Sequence, residues 1–202
     1  MNTGNWKIDV NVNGMPQRIA MAFEKLKEKL VGADYEFIAY LGSQEVNGTN
    51  HAVLAKQIVT TGRDSVNIVA LIFNEKAVEK AVEIPTWIIT PVAIERVLDS
   101  GAALGGTTIR VDKILDLEGP EMSIWNEAFD GYVGISMRPI AYLGNQVTKG
   151  IEHIFAATAE PMSLEGQKQA VIVRINPLER TVRVVNFLVD RGTDTLNYAF
   201  NW

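Results

Sequence analysis

A repeat at an offset of 102 residues is the feature that most constrains this chain. Residues 38–51, Ile-Ala-Tyr-Leu-Gly-Ser-Gln-Glu-Val-Asn-Gly-Thr-Asn-His, align without a gap with residues 140–153, and 8 of the 14 positions are identical. The offset is about the length of one small domain, and the 202-residue chain is close to twice that length. The sequence therefore predicts two tandem copies of one fold. A solenoid does not fit, because solenoid repeats are roughly 20–50 residues long and at least three are needed.

Each copy has the pattern of a short strand, one helix and then four antiparallel strands. Residues 15–31 and 122–132 carry apolar side chains at helical spacing, and we expect Gly32 to end the first helix and Gly119-Pro120 to begin the second. The strands predicted from alternating or β-branched residues in the first copy are 6–12, 35–46, 51–60, 69–73 and 76–84. In the second copy they are 108–114, 135–148, a counterpart of the 51–60 strand that ends near residues 164–166, 171–175 and 180–188. The register of the repeat is expected to continue without a gap to Val82 over Val184.

The first two long strands of each copy are joined by a hairpin signal. Asn47-Gly48 is the strongest short signal for a two-residue turn, and Lys149-Gly150 occupies the same place in the second copy. We expect a type I′ turn, in which both central residues have positive φ. Gly48 and Gly150 then have a purely conformational explanation beside any functional one.

The resulting fold class is α+β, with two domains that each place one helix on an antiparallel sheet. We predict a first domain over residues 1–90, a linker helix with a glycine-rich exit over 91–106, and a second domain over 107–202. The glycine-rich exit lacks the Gly-Lys-Ser/Thr of a phosphate-binding loop.

Composition narrows the function classes. A net charge of -5 gives no general attraction to nucleic acid or anionic membranes, and the absence of cysteine excludes disulfides, thiol nucleophiles and cysteine-based zinc sites. No run approaches the ~18 apolar residues of a membrane span, and the start lacks a secretory signal. We therefore predict a cytoplasmic protein, with a secreted mature form left open. With no hydrolase or nucleotide-binding motif present, we predict no catalysis, no cofactor and no metal.

The segment Gln44-Glu45-Val46-Asn47-Gly48-Thr49-Asn50 resembles the first-hairpin signature of the cystatins, Gln-Val-Val-Ala-Gly-Thr-Asn. Gly4, 40 residues before Gln44, lies about where cystatins have their N-terminal glycine. The order of one helix followed by a meander also resembles the cystatin fold, and two such domains joined by a helix resemble the latexin family.

This resemblance implies a peptidase inhibitor that lays three segments into the cleft of a papain-like cysteine peptidase. The segments would be Gly4, the first hairpin and the turn that begins at Asn74. The residues implied to bind the partner protein are Gly4, Gln44, Glu45, Val46, Asn47, Gly48, Asn74, Glu75 and Lys76. The first copy departs from the family in having Glu75-Lys76 where cystatins have Pro-Trp, and the second copy has Thr148 where the motif has Val, so the first copy is the expected inhibitor.

Other interpretations of the chain, and of several of its residues, are also open. One alternative is a noncatalytic interaction or assembly protein that uses strand edges or the domain interface, for which a large stable homo-oligomer would be evidence. A third alternative is a protein that binds a small ligand between sheet and helix. The shared Ile-Ala-Tyr-Leu-Gly run is expected to be structural, with Ile38, Tyr40 and Gly42 on one face, or else a recognition surface displayed twice. His51 and His153 are expected to be ordinary surface or half-buried residues rather than metal ligands or general bases. The aromatic tail, residues 196–202, is expected to dock onto a domain or a neighbouring subunit.

Overall fold

The computed structural model of the chain describes residues 4–61, 65–75, 86–92, 106–112, 115–162, 167–188 and 197–202. The chain divides into two compact units, Met1–Arg96 and Val97–Trp202. The boundary falls within the predicted linker, residues 91–106. Its first two residues, Pro91 and Val92, belong to a strand, whereas residues 93–105 lie outside the described part of the chain.

Both units are α+β, as the sequence predicts: each described part contains one helix and one antiparallel sheet. Unit 1 consists of β1 (Trp6–Asn11), α1 (Gln17–Lys27), β2 (Ala33–Val46), β3 (Gly48–Val59), β4 (Ser65–Asn74) and β5 (Thr86–Val92). Its strands lie in the order β1-β2-β3-β4-β5. Unit 2 consists of β6 (Thr107–Asp112), α2 (Pro120–Phe129), β7 (Ile135–Thr148), β8 (Gly150–Pro161), β9 (Gln169–Asn176), β10 (Thr181–Asn186) and β11 (Asn197–Asn201), and its sheet has the order β11-β10-β9-β8-β7-β6.

Both helices end earlier than predicted. After Lys27 the N–H groups of Lys29 and Leu30 bond to carbonyls three residues back, which tightens the last turn and stops the α-helix. Gly32, with φ +92°, therefore does not end α1; its carbonyl accepts the Thr60 N–H at the start of β2. In unit 2 the predicted start is correct, since Gly119 is the N-cap of α2.

The helix of each unit covers one face of its sheet. The buried face of α1 is formed by Ile19, Ala22, Phe23 and Leu26, and Phe23 lies over Phe73 with ring centroids 6.5 Å apart. In α2, Trp125 meets Phe155 edge-on at 5.2 Å. Alternate residues of the third strands face the helix, with Val69, Leu71 and Phe73 in one core and Val171, Val173 and Ile175 in the other. The opposite face of each sheet is also apolar and buried, through Ala39, Ala52, Leu54 and Ala70 in unit 1 and Ala141, Ile154, Ala156 and Ile172 in unit 2.

Two bulges interrupt the second strand in both units, so the predicted alternation through the repeated run is wrong. In β2 the register shifts between Phe37 and Ala39 and again between Tyr40 and Gly42. Tyr40 therefore joins the core under α1, whereas Gly42 pairs with Ala52 on the opposite face. An extra residue in one strand reverses every side chain that follows it, which simple alternation does not anticipate.

The glycine that ends the run is required by a close approach of backbones. Gly42 has φ +146°, and a Cβ built on it would lie 2.0 Å from the carbonyl oxygen of Lys7 in β1. Gly144 repeats this geometry, with φ +140° and a Cβ position 2.0 Å from the Thr108 oxygen. No larger side chain fits either site without displacing the neighbouring strand.

The copies diverge after the third strand, so the gapless register to Val82 and Val184 is wrong. In unit 2, Val173 pairs with Val184, whereas the equivalent Leu71 of unit 1 pairs with Ile88. The strand beside β4 is thus reached six residues later in the first copy. The predicted strand over residues 76–84 lies outside the described residues, and its counterpart in the second copy is confirmed as β10.

The aromatic tail docks onto its own unit. Its residues form β11, which pairs with β10, and Trp202 packs against the core of unit 2. The backbone N–H of Trp202 donates to the Arg180 carbonyl at 3.1 Å.

Candidate functional site

The described parts of the three segments predicted to bind a partner meet at one end of the sheet of unit 1, which we call the hairpin end: Gly4, the β2–β3 connection with Gln44–Asn50, and Asn74-Glu75. The Gly4 N–H donates to the Glu45 carbonyl at 3.0 Å. In the sheet register Asn50 lies between Gln44 on β2 and Asn74 on β4. The strand order therefore brings these segments together.

The tip of the hairpin end is a turn around Asn47. Val46 and Gly48 are register partners, and Asn47 is exposed between them. Gly48 has φ +102°, and Gly150 has φ +100° at the matching tip of unit 2. Among the described residues the only non-glycine with positive φ is Arg180, so neither Asn47 nor Lys149 adopts the conformation of a type I′ turn. The expectation of that turn type is therefore wrong, while the need for glycine at the second position remains.

A row of side-chain amides crosses three strands just below the tip, on the face away from α1. Asn74 donates through Nδ2 to Asn50 Oδ1 at 3.0 Å, and Asn50 donates through Nδ2 to Gln44 Oε1 at 3.3 Å. Asn50 and Asn74 are buried. Buried amides that are paired in this way tie the three strands to one register.

On the helix side, four side chains form a chain of polar contacts. Tyr40 Oη lies 3.0 Å from His51 Nδ1, and His51 Nε2 lies 3.2 Å from Glu75 Oε2. The other carboxylate oxygen of Glu75 pairs with Arg18 of α1. Burial raises the pKa of Tyr40, so its hydroxyl is neutral and can donate to the imidazole.

Two predicted contact residues are thereby placed differently from the others. The Glu75 side chain is turned inward onto His51 and Arg18 and is 16% exposed. Asn74 is buried in the amide row. The predicted residue Lys76 lies outside the described residues. Within the described part of the site, the surface at the tip is therefore formed by Gly4, Glu45 and Asn47 rather than by Asn74 and Glu75.

Unit 2 repeats the tyrosine–histidine pair, but its described residues do not repeat the hydrogen bond from the histidine to a carboxylate. Tyr142 Oη lies 3.2 Å from His153 Nδ1, and Pro177 stands where the repeat would place the equivalent of Glu75. Burial lowers the pKa of His153, opposed by the charge of Glu121, and burial raises the pKa of Tyr142. Each histidine is thus the partner of a buried tyrosine, and the described residues contain no group of three or more histidine, cysteine or acidic side chains that could hold a metal ion.

In unit 2 charged groups replace the amide row. Glu152, which aligns with Asn50, has a side chain only 3% exposed and pairs with Arg174 at 3.0 Å and with Arg183. Arg174 also donates to Gln146 Oε1 at 3.1 Å. The two hairpin ends therefore share a backbone but differ in the polar groups beneath the tip.

Sequence reasoning missed Arg18, Tyr40 and Asn50 as parts of the site. The repeat carried a usable signal for one of them, because Tyr40 and His51 are identical in both copies and lie 11 residues apart in each. Arg18 carries no such signal, since its role depends on where α1 crosses the sheet.

Neither α1 nor α2, and no other helix in the described part of the chain, reaches the ~20 apolar residues of a membrane crossing. No protein-family model, curated protein or solved structure matches this chain.

Proposed function

We propose that the chain is a noncatalytic peptidase inhibitor whose hairpin end in unit 1 enters the cleft of a papain-like cysteine peptidase. The observation that carries this proposal is the hydrogen bond from the Gly4 N–H to the Glu45 carbonyl, which holds the N-terminal segment beside the hairpin tip. The strand order β1-β2-β3-β4-β5 around one helix is consistent with the cystatin resemblance of the segment Gln44–Asn50.

Rigidity of the hairpin end supports the proposal. A wedge that is already ordered loses little conformational entropy when it binds, so more of its contact energy appears as affinity. The amide row of Gln44, Asn50 and Asn74 fixes the strands below the tip. On the other face, the contacts from Tyr40 through His51 to Glu75 fasten the end of β4 to the middle of the sheet.

The tip itself has the shape that such a wedge needs. Gly48 removes a side chain from the turn, so that main chain can approach a narrow cleft, and its positive φ is available to glycine without strain. Because Asn74 and Glu75 serve as internal supports, we assign the direct contacts to Gly4, Glu45, Val46 and Asn47.

Titration of a papain-like peptidase with the purified chain, using a small fluorogenic substrate, tests the proposal. We expect reversible inhibition by the wild type and a loss of affinity of at least about tenfold for Asn47→Trp, because a bulky residue at the tip obstructs entry into the cleft. Lys149→Trp places the same side chain at the matching tip of unit 2 and should inhibit like the wild type. A chain lacking residues 1–5 should also bind more weakly.

Two results would contradict the proposal. One is the absence of inhibition at micromolar concentrations of folded protein. The other is equal inhibition by the wild type, Asn47→Trp and the truncated chain, because the contact would then lie away from the hairpin end.

A further inference from the structure

In the described part of the chain, four strands lie at the edges of the two sheets: β1 and β5 in unit 1, and β6 and β11 in unit 2. An edge strand presents unpaired N–H and C=O groups that can pair with a strand of another chain. Soluble proteins protect such edges with charged residues, with proline or with bulges that twist the strand away.

Three of these edges are protected. The first strand, β1, carries exposed Lys7 and Asp9, and β6 carries Arg110 and Asp112. Both of these strands also have a bulge in their pairing with the neighbouring strand. The edge strand β5 contains Pro91, and its register with β4 is irregular.

The fourth edge, β11, has none of these features. Its five residues, Asn-Tyr-Ala-Phe-Asn, include no charge, no proline and no glycine. It pairs with β10 at five consecutive positions, from Asn197 opposite Val185 to Asn201 opposite Thr181, without a shift in register. In the part of the chain that the structure describes, no strand pairs with its outer edge.

The sequence of β11 is self-complementary in the antiparallel sense. Read from either end it runs asparagine, aromatic, alanine, aromatic, asparagine. We propose that β11 is a homodimerisation edge, which pairs antiparallel with β11 of a second copy about a two-fold axis at Ala199. This register puts Asn197 opposite the partner subunit's Asn201, Tyr198 opposite the partner subunit's Phe200, and Ala199 opposite the partner subunit's Ala199.

The pairing fits what is known of symmetric assemblies and of strand contacts. A two-fold interface joins the same patch on both copies, so a strand that uses it must be complementary to itself. Aromatic residues directly opposite each other on antiparallel strands stabilise the pair. One strand of five residues buries less area than a permanent interface, so we expect a reversible dimer that dissociates on dilution. The six-stranded sheets of unit 2 in the two copies would join into one sheet of twelve strands.

Sedimentation velocity of the full chain over a concentration series, with charge variants at Ala199, tests the proposal. Ala199→Lys and Ala199→Glu each place two like charges opposite each other at the two-fold axis, which should weaken the dimer at least about fivefold. A mixture of the two variants places opposite charges there and should restore association. Both signs are needed because Arg183 lies opposite Ala199 on β10, so within one chain it favours glutamate and disfavours lysine.

Thr108→Lys on the protected edge β6 is the matched control and should dimerise like the wild type. Circular dichroism establishes that each variant is folded. A wild type that stays monomeric at about 100 µM overturns the proposal, as does a dimer that neither Ala199 variant weakens. Folded variants that fail to associate when mixed would overturn the register about Ala199. Protection of β11 amides from hydrogen exchange only at high concentration would support it.

Discussion

Replacement of Gly144 by alanine gives the sharpest test of the bulged second strand. In the native structure the new Cβ would lie 2.0 Å from the Thr108 oxygen, whereas ordinary contact begins at 3.4 Å. Strand β6 must therefore move by more than about 1 Å, which disrupts its pairing with β7 where Ile109 lies opposite Gly144. The residue at position 144 must also keep φ at +140°, a backbone conformation that residues other than glycine rarely adopt.

The expected loss follows from these two contributions. The unfavourable backbone conformation costs about 1–3 kcal/mol, and about two weakened backbone hydrogen bonds cost about 1 kcal/mol each. We expect the free energy of unfolding to fall by about 3–5 kcal/mol. Gly42→Ala should cause a similar loss in unit 1, because its Cβ position is also 2.0 Å from a carbonyl oxygen, that of Lys7.

Gly131→Ala is the matched control in unit 2. Gly131 also has positive φ, +68°, but nothing lies within 4 Å of its Cβ position, so only the backbone strain of about 1 kcal/mol applies. Urea unfolding followed by tryptophan fluorescence measures both variants. If Gly144→Ala is no less stable than Gly131→Ala, then the close approach of β6 is not what requires glycine in the repeated run.

Three further predictions concern the buried polar groups. Burial lowers the pKa of His153, so in mildly acidic solution the folded chain binds fewer protons than the unfolded chain. The stability that depends on neutral His153 is fully present above the pKa of histidine in the unfolded chain, about 6.5. It is lost as the pH falls through the lower pKa of the folded chain. Urea unfolding between about pH 8 and pH 5 should thus show a smaller acid loss for His153→Gln than for the wild type. Tyr40→Phe removes the hydroxyl partner of His51 and should cost about 1 kcal/mol, read as a lower Tm. Glu152→Ala leaves Arg174 without its buried carboxylate and should cost about 3 kcal/mol in the same melt, whereas a loss within error would show that the pair contributes no net stability.

The regular elements were predictable because the repeat supplied two sequences for one fold. Strand β7 begins and ends where predicted, at Ile135 and Thr148, because its apolar pattern is bounded by a glycine turn. The strand predicted over residues 180–188 is likewise confirmed as β10, Thr181–Asn186. The two copies differ in the number of residues between the third strand and the strand that pairs with it next. The spacing in the second copy therefore does not predict that of the first, and the pairing of Leu71 with Ile88 could not be inferred.

Bulges and helix ends were not predictable for a physical reason. A bulge is a property of two paired strands, because the extra residue is defined only against the partner across the ladder. The requirement for glycine at position 42 is therefore visible only when the position of the neighbouring strand β1 is known. The end of α1 at Lys27 likewise depends on which carbonyl oxygens accept hydrogen bonds from the next N–H groups. The apolar pattern of the sequence does not indicate this end, because it continues to Leu30.

The site was predictable in outline and not in detail. Strand order alone implies that Gly4, the hairpin tip and Asn74 meet at one end of an antiparallel sheet. The inward turn of Glu75 depends on two partners far away in sequence, Arg18 and His51, which are brought to it only by the crossing of α1 over the sheet. Sequence reasoning could therefore place the segments but not tell supporting residues from exposed ones.

The repeated segment also shows where the two copies differ in sequence. The residues that are identical in both copies have structural roles. They lie at the two bulges, in the tyrosine–histidine pair, at the tip glycine and at the glutamine beneath the tip. Of the six aligned pairs that differ, five fall within residues 45–50 and 147–152, at and just below the tips. The two copies thus share a scaffold and differ at their hairpin ends, so a partner that fits the hairpin end of unit 1 is not expected to fit the matching end of unit 2.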